Sequence, residues 1–324
     1  MRILFLIPLL SAVIIVACDA PRENPFDPGA GNYIGNQESV LYVGNLSNRA
    51  KAVAGATVVE ENSRFYGLSD ISGQVRWTHA PQDSFLFTIG KDGYFERQAV
   101  RLRSQNNFYE VLLNARPLLQ GTRFVSRYTS NRETYILSTT DVQDADGILD
   151  VTSVYLSQEE LGGRADLMPA IGAGSHTFSR EVNIKTISSS LNANNLTEYD
   201  FELVVTNQNG DSARFGPYVI RRVIEQVPTP ESPDLAQPEE GDILFSWGGI
   251  DAEFDFHYRI ELYNNSFDFL GGFTPISSDS SSFKLSDGDI LDRLSPTGNF
   301  WVLFVVDDLG NTSQSRFIFF DYER

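Results

Sequence analysis

The chain has one cysteine, Cys18, in 324 residues. An intrachain disulfide is therefore excluded, and so is any metal site built on several thiolates. Histidine is almost as scarce. His79, His176 and His257 are scattered, with no Cys or His at metal-ligand spacing, so each reads as an ordinary surface or core histidine. Positive charge is in deficit, with 25 Lys and Arg against 43 Asp and Glu. Phosphate recognition is built on clustered Lys and Arg, so this balance disfavours nucleic acid and anionic headgroups as partners. No Gly-rich phosphate loop with a trailing Lys occurs. The stretch Gly172-Ala173-Gly174-Ser175-His176 lacks the spacing of a nucleophile elbow and reads as a loop. Long helical heptads are absent as well, which removes coiled coils from consideration.

The one long apolar run lies at the start. Arg2 supplies a positive charge, and Ile3 to Val16 is apolar but for Pro8 and Ser11. That is short for a membrane span, which needs about 20 apolar residues, and it suits the hydrophobic region of a secretory signal. The run closes with Ile15-Val16-Ala17-Cys18, which resembles the bacterial lipobox: an aliphatic residue, a small one, then the cysteine whose thiol accepts a diacylglyceryl group. The resemblance implies a signal peptide over 1–17, a lipidated Cys18 and a membrane as partner. More than one acyl chain makes such anchoring stable. Loss of Arg2 with the leader takes the formal net charge from −18 to −19. Asp19 resembles an inner-membrane retention signal of some enteric bacteria, a rule other phyla do not follow. The expected address is the cell envelope, the outer membrane ahead of the inner, with the periplasm and the cell surface both open.

Beyond the anchor the composition is that of an all-β protein. Phe, Tyr and Trp make up 12% of the chain, and aromatic and β-branched residues favour strands. Clusters of Gly, Asn, Asp and Ser recur as turn signals. The expectation is a row of β-sandwich domains on a flexible lipidated tether. Residues 18–37 form the tether, rich in Pro and Gly without apolar periodicity, and Asn24-Pro25-Phe26-Asp27-Pro28 resembles the post-cysteine segment of many lipoproteins of the Bacteroidetes and related phyla.

Residues 38–117 form the first expected domain. Val75 and Trp77 fall on one strand face, with Arg76 and Thr78 on the other, and Phe85, Phe87 and Ile89 alternate with Leu86 and Thr88. The Gly55-Ala56-Thr57-Val58 strand, the Ser69-Asp70-Ile71-Ser72-Gly73 turn, the aromatic strand and Gly93-Tyr94 together resemble a carboxypeptidase regulatory-like domain, with Ser69 where that family has threonine. This implies a structural or adhesive module and no catalytic residues. Residues 118–226, with regular short strands and an Asn207-Gln208-Asn209-Gly210 hairpin turn, suggest an immunoglobulin-like sandwich. The prolines of 227–233 mark a boundary. Residues 232–324 resemble a fibronectin type III domain through Trp247 and the Tyr258-x-Ile260-x-Leu262 strand. Trp301, Leu303 and Val305 alternate with Phe300, Val302, Phe304 and Val306, so both faces of that strand are apolar, as in a strand covered on both sides. Val204–Ser212 and Val305–Ser313 share one outline: an apolar strand, a polar turn with glycine, a returning strand.

Two constellations could carry chemistry. Asp141, Asp144, Asp146 and Asp150 surround an Asp-Gly turn, and a hard cation such as calcium takes several oxygens on such a loop. The EF-hand register fails. With Asp146-Gly147 at loop positions five and six, Val142 falls at position one and Ser153 at position twelve. An Asp-Gly turn with solvated aspartates is the preferred reading, with structural calcium as the alternative and no other cofactor implied. The second constellation is Tyr263, Phe267, Phe269 and Phe273, aromatics interleaved with amides in a turn-rich stretch that suits a sugar ring or a protein partner. Packing of these rings beneath the loop is the simpler reading.

The preferred function is a non-catalytic envelope lipoprotein acting as an adhesion, scaffold or spacer module. A carbohydrate-binding lipoprotein of a glycan-uptake system is the second reading. A hydrolase using an unrecognised pair of carboxylates is the third, since any two of the 43 acidic residues could meet in space.

Overall fold

The computed structural model describes residues 37–61, 65–79, 84–103, 107–170, 176–236 and 239–323. The expected signal segment, Cys18, the expected tether up to residue 36 and Gly172–Ser175 lie outside the described residues. The protein is all-β. Its only α-helices among the described residues are α1 (Ile184–Ile187) and α2 (Gly288–Leu291). It divides into two compact units, 1–116 and 117–324.

The first unit contains β1 (Gln37–Asn45), β2 (Thr57–Glu60), β3 (Phe65–Leu68), β4 (Gln74–His79), β5 (Ser84–Gly90), β6 (Arg97–Arg103) and β7 (Phe108–Leu113). Two sheets form, β4-β1-β7 and β3-β2-β5-β6. Alternation decides which side chains meet. Val75, Trp77, Phe85, Phe87 and Ile89 are buried, while Arg76 and Thr78 stand outside. Trp77 is the hub of this core, edge-on to Phe85 at 5.6 Å and to Phe87 at 5.3 Å. Ser69 is buried because its hydroxyl closes a loop, accepting from the Ala56 N–H and donating to the Val53 carbonyl, both at 2.7 Å. The turn that follows needs glycine at Gly73, where φ is +75° and a Cβ would lie 2.5 Å from the Val43 carbonyl oxygen.

The second unit opens with β8 (Leu118–Thr129), β9 (Thr134–Gln143), β10 (Val151–Gln158), β11 (Gly163–Asp166), β12 (Met168–Pro169), β13 (Thr177–Asn183), β14 (Asp200–Asn207) and β15 (Ser212–Val219). The sheet β11-β10-β14-β15 packs on β12-β13-β9-β8 around Leu156, Phe201, Leu203 and Val205. It continues with β16 (Thr229–Ser232), β17 (Glu239–Glu240), β18 (Ile243–Gly248), β19 (Phe256–Tyr263) and β20 (Phe269–Ser277). The last strands are β21 (Ser282–Leu285), β22 (Asn299–Asp307), β23 (Thr312–Gln314), β24 (Ile318–Phe320) and β25 (Tyr322–Glu323). A second core gathers around Phe245, Trp247, Tyr258, Ile260, Trp301 and Leu303.

The two cores of this unit share one sheet. Parallel pairing of β23 with β8 joins β12-β13-β9-β8 to β23-β22-β19-β20, so that with β24 nine strands are continuous. The seam is polar and satisfied. Asn311 Oδ1 accepts from the Ser126 N–H at 2.9 Å, Arg222 donates to the buried Asp307 carboxylate at 3.0 Å, and the Ser313 hydroxyl donates to the Gln226 carbonyl at 2.7 Å. The proline-rich 227–233 is packed rather than free. Pro228, Pro230 and Pro233 are buried, Thr229–Ser232 forms β16, and the Pro233 carbonyl accepts from Trp301 Nε1 at 3.0 Å.

One turn geometry recurs. In five hairpins the first residue's N–H bonds to the carbonyl four residues on and its carbonyl accepts from the N–H three residues on: Asp70–Gln74, Thr129–Glu133, Asn207–Asp211, Asn264–Asp268 and Asp307–Asn311. This is a type I turn followed by a residue at positive φ, a position that favours glycine. Gly73, Gly210 and Gly310 fill it in three of them, with φ between +75° and +86°. In the other two it is taken by Arg132 (φ 62°) and Phe267 (φ 67°).

Candidate functional site

The acidic loop joins β9 to β10. Asp144 Oδ1 accepts from the Asp146 N–H at 2.8 Å, and the Asp144 carbonyl accepts from the Gly147 N–H at 3.0 Å. Gly147, at φ +98°, turns the chain back. The Asp150 carbonyl then accepts from the Gln208 N–H at 2.8 Å. The structure brings Asp144, Asp146 and Asp150 together, each with a carboxylate oxygen within 4.8 Å of the other two. Asp141 is not in the group. It lies on β9, where its carboxylate accepts from the Thr177 hydroxyl at 2.5 Å across the β9–β13 ladder. Burial is the main cause that pushes the Asp144 and Asp150 carboxyls up, and the neighbouring Asp146 charge adds to both. Asp144, Asp146 and Asp150 are the residues that could hold a hard cation.

The aromatic constellation is built on β22. All nine of its residues are buried, although among the described residues its two sides belong to different clusters, one a large core and the other a small set on the outer face. Trp301, Leu303 and Val305 point into the core. Phe300, Val302, Phe304 and Val306 point the other way, and their cover comes from side chains of their own sheet. Two arginines roof Phe304, with guanidinium carbons 4.3 Å (Arg259) and 5.6 Å (Arg127) from the ring centre. Arg259 is ion-paired to Glu261 at 3.2 Å, and its burial pushes its own pKa down. Tyr263 stacks on Phe300 at 5.0 Å with an interplanar angle of 6°, and its hydroxyl donates to Glu261. Burial first, and the bond to Glu261 second, push the Tyr263 phenol up to about 12.

Phe300 is the centre of a ring cluster. Phe267, Phe317 and Phe319 lie 5.1, 5.5 and 5.5 Å from it, and Phe269 lies 5.5 Å from Tyr263. The outer rings are open to water: Phe267 is 73% exposed, Phe269 54%, Phe317 50% and Phe319 45%. Tyr263, Phe267 and Phe269 therefore share one surface. Phe273 does not belong to it. A register shift between Leu262 and Tyr263 inserts Leu270 as an extra residue, so Phe269 pairs with Tyr263 outward while Phe273 pairs with Ile260 inward. Phe273 packs on Phe283 at 4.9 Å, at the edge of the core. Phe300, Phe317 and Phe319 were not legible as part of the site, because nothing local in the sequence pairs β24 with the start of β22 and so sets Phe319 beside Phe300. The apolar period on both faces of 300–306 was the one signal available.

The same face runs on across the shared sheet. Asn183, Tyr135, Arg127, Thr312, Val306 and His257 lie in one cross-strand row through β13, β9, β8, β23, β22 and β19. Between the β8–β9 turn and the Gln314–Phe319 segment this face forms a groove of about 570 Å³. Arg127, Glu133, Tyr135 and Glu181 line it from one side, and Arg316, Phe317 and Phe319 from the other. Arg127 is ion-paired to Glu181 at 3.0 Å, and the Tyr135 hydroxyl donates to Glu133 at 2.7 Å.

No family model matches the chain, and no curated protein matches it. Among solved structures it is similar to BcpA, the major pilin subunit of Bacillus cereus, at 12% identity and a TM-score of 0.29, covering 89% of this chain and 96% of that one. It is similar to the FN1–FN3 domains of chicken CNTN1 at 14% identity and a TM-score of 0.28, covering 85% and 92%. The fibronectin(III)-like modules of Clostridium thermocellum CbhA match at 10% identity and a TM-score of 0.25, covering 64% and 95%. At these TM-scores no residue of those proteins is matched to a residue here.

Proposed function

We propose that the chain is a non-catalytic binding module of a bacterial cell envelope, held to a membrane by a lipid on Cys18 and presenting the outer face of its nine-stranded sheet to a partner. The anchor reading rests on the Ile15-Val16-Ala17-Cys18 sequence behind a short apolar run. The binding reading rests above all on Phe267. A bulky side chain in the left-handed backbone region costs about 1–2 kcal/mol. Three hairpins of the same geometry use glycine there. At Phe267 the chain bears that cost to hold a ring 73% in water, beside three other half-exposed phenylalanines. Contiguous exposed apolar rings on a surface mark an interaction site.

Protease shaving of intact cells, followed by mass spectrometry of the released peptides, tests the location. Release of peptides from 40–324 with periplasmic controls untouched would put the module on the cell surface, and digestion only after lysis would put it in the periplasm. Metabolic labelling with an alkyne fatty acid tests the anchor, and Cys18→Ala should abolish both label and membrane retention. A protein that stays unlabelled and soluble with Cys18 intact would end this reading.

A further inference from the structure

The groove beside Phe317 and Phe319 is a built concavity whose chemistry differs from the bare aromatic patch, and we propose that it binds a neutral carbohydrate chain. The inference deepens the binding-module reading and rests on it. Two arginines, Arg127 and Arg316, balance two glutamates, Glu133 and Glu181, along the groove, so the walls favour neither an anion nor a cation. A phosphate would meet the two carboxylates, and an ammonium would meet the two guanidinium groups.

The polar groups are also planar and fixed. Arg127 is held by Glu181 and by the face of Phe304, and Glu133 is held by the Tyr135 hydroxyl at 2.7 Å. Planar guanidinium and carboxylate groups bond two neighbouring hydroxyls at once. The residues that cross-brace them cost little further ordering when a ligand arrives.

The opposite wall is aromatic. Phe317 and Phe319 are each about half exposed and are propped from beneath by Phe300, which is itself buried. A pyranose ring has an apolar face of axial C–H groups and a rim of hydroxyls, and the groove offers the complement of both: phenylalanine rings on one side and paired hydrogen-bonding groups on the other. A wholly apolar segment would take Glu133, Glu181 and the arginines out of water and replace none of the hydrogen bonds they make to it, which is costly. A volume of about 570 Å³ lies within the range of small-ligand sites and accommodates a short run of sugar units.

The test is titration calorimetry of the full folded chain with maltohexaose, cellohexaose, laminarihexaose, mannohexaose, xylohexaose and chitohexaose, backed by an array of neutral glycans. At least one is expected to bind. Phe317→Ala and Phe319→Ala should each weaken it tenfold or more, and Glu133→Gln should weaken it several-fold. Both phenylalanines are half exposed, so these variants are expected to fold, and an unchanged circular dichroism spectrum and melting temperature would verify it. Phe273→Leu, on the inner side of β20, should leave the affinity unchanged.

Absence of binding across the panel and the array, with folded protein, overturns the carbohydrate site while leaving the envelope-module reading to the shaving experiment. Binding that survives loss of both phenylalanines overturns this groove as its location. Release of shorter sugars from the bound chain would keep the site and end the non-catalytic reading.

Discussion

The two faces of β22 carry equally apolar side chains and meet different fates. The inward set, Trp301, Leu303 and Val305, is closed by a second sheet and belongs to a core of buried rings and aliphatics. The outward set, Phe300, Val302, Phe304 and Val306, has arginines, a tyrosine and half-exposed phenylalanines above it among the described residues. Both sets are out of water, so burial alone does not distinguish a core from a binding face. What differs is the cover: a rigid sheet on one side, and long or aromatic side chains with freedom at their tips on the other.

The largest effect should come from the inward face. Trp301→Ala removes a fully buried ring and strands the Pro233 carbonyl, and should cost about 3–5 kcal/mol in urea unfolding. Phe300→Ala on the outward face should cost less, about 2–3 kcal/mol, because mobile surface rings can settle into the space. Equal costs for the two would mean that the outer cover is as rigid as a sheet, and the comparison would fail.

Phe267 sharpens the contrast with an effect of opposite sign. Phe267→Gly relieves the left-handed backbone while giving up one ring contact with Phe300, and the net result should be a gain of about 0.5–1 kcal/mol. The same substitution at a ring needed for packing would destabilise. A measured loss of stability would show that Phe267 serves the fold and would weaken its part in the binding proposal.

How far the sequence reaches can be judged on these same elements. Alternation identified the buried faces of β4, β5 and β22 because a period of two needs only local information. It also gave the strand–turn–strand outline shared by Val204–Ser212 and Val305–Ser313. The structure gives those two turns the same bonds: Asn207 Oδ1 accepts from the Asn209 and Asp211 N–H groups, and Asp307 Oδ1 from those of Leu309 and Asn311. Cover on both sides of β22 was legible too, but its nature was not, since side chains and a second sheet leave the same apolar pattern. The failures came from single-residue shifts and from distant pairing. One extra residue at Leu270 sends Phe273 inward. The β9–β13 ladder takes Asp141 away from Asp144, Asp146 and Asp150. Pairing of β23 with β8 lies 185 residues apart in the Ser126–Asn311 bond, beyond any local pattern.

The smallest predicted effect is at alkaline pH and reads the outer cover directly. The Tyr263 phenol is pushed up to about 12, above the ordinary value of 10, so the native state keeps its proton where the unfolded chain has lost it. For such a group the unfolded state binds fewer protons between pH 10 and 12, and stability falls as pH rises through that window. Below pH 10 its contribution is fully present. Tyr263→Phe should therefore unfold less steeply than the wild type between pH 10 and 12. With the phenol partly open to solvent the difference should stay under about 1 kcal/mol. Urea midpoints at pH 9, 10, 11 and 12 for both proteins would check it. Parallel profiles would mean that Tyr263 titrates as an exposed phenol, that Glu261 and the rings around Phe300 shield it from nothing, and that the outward face of β22 is open rather than roofed.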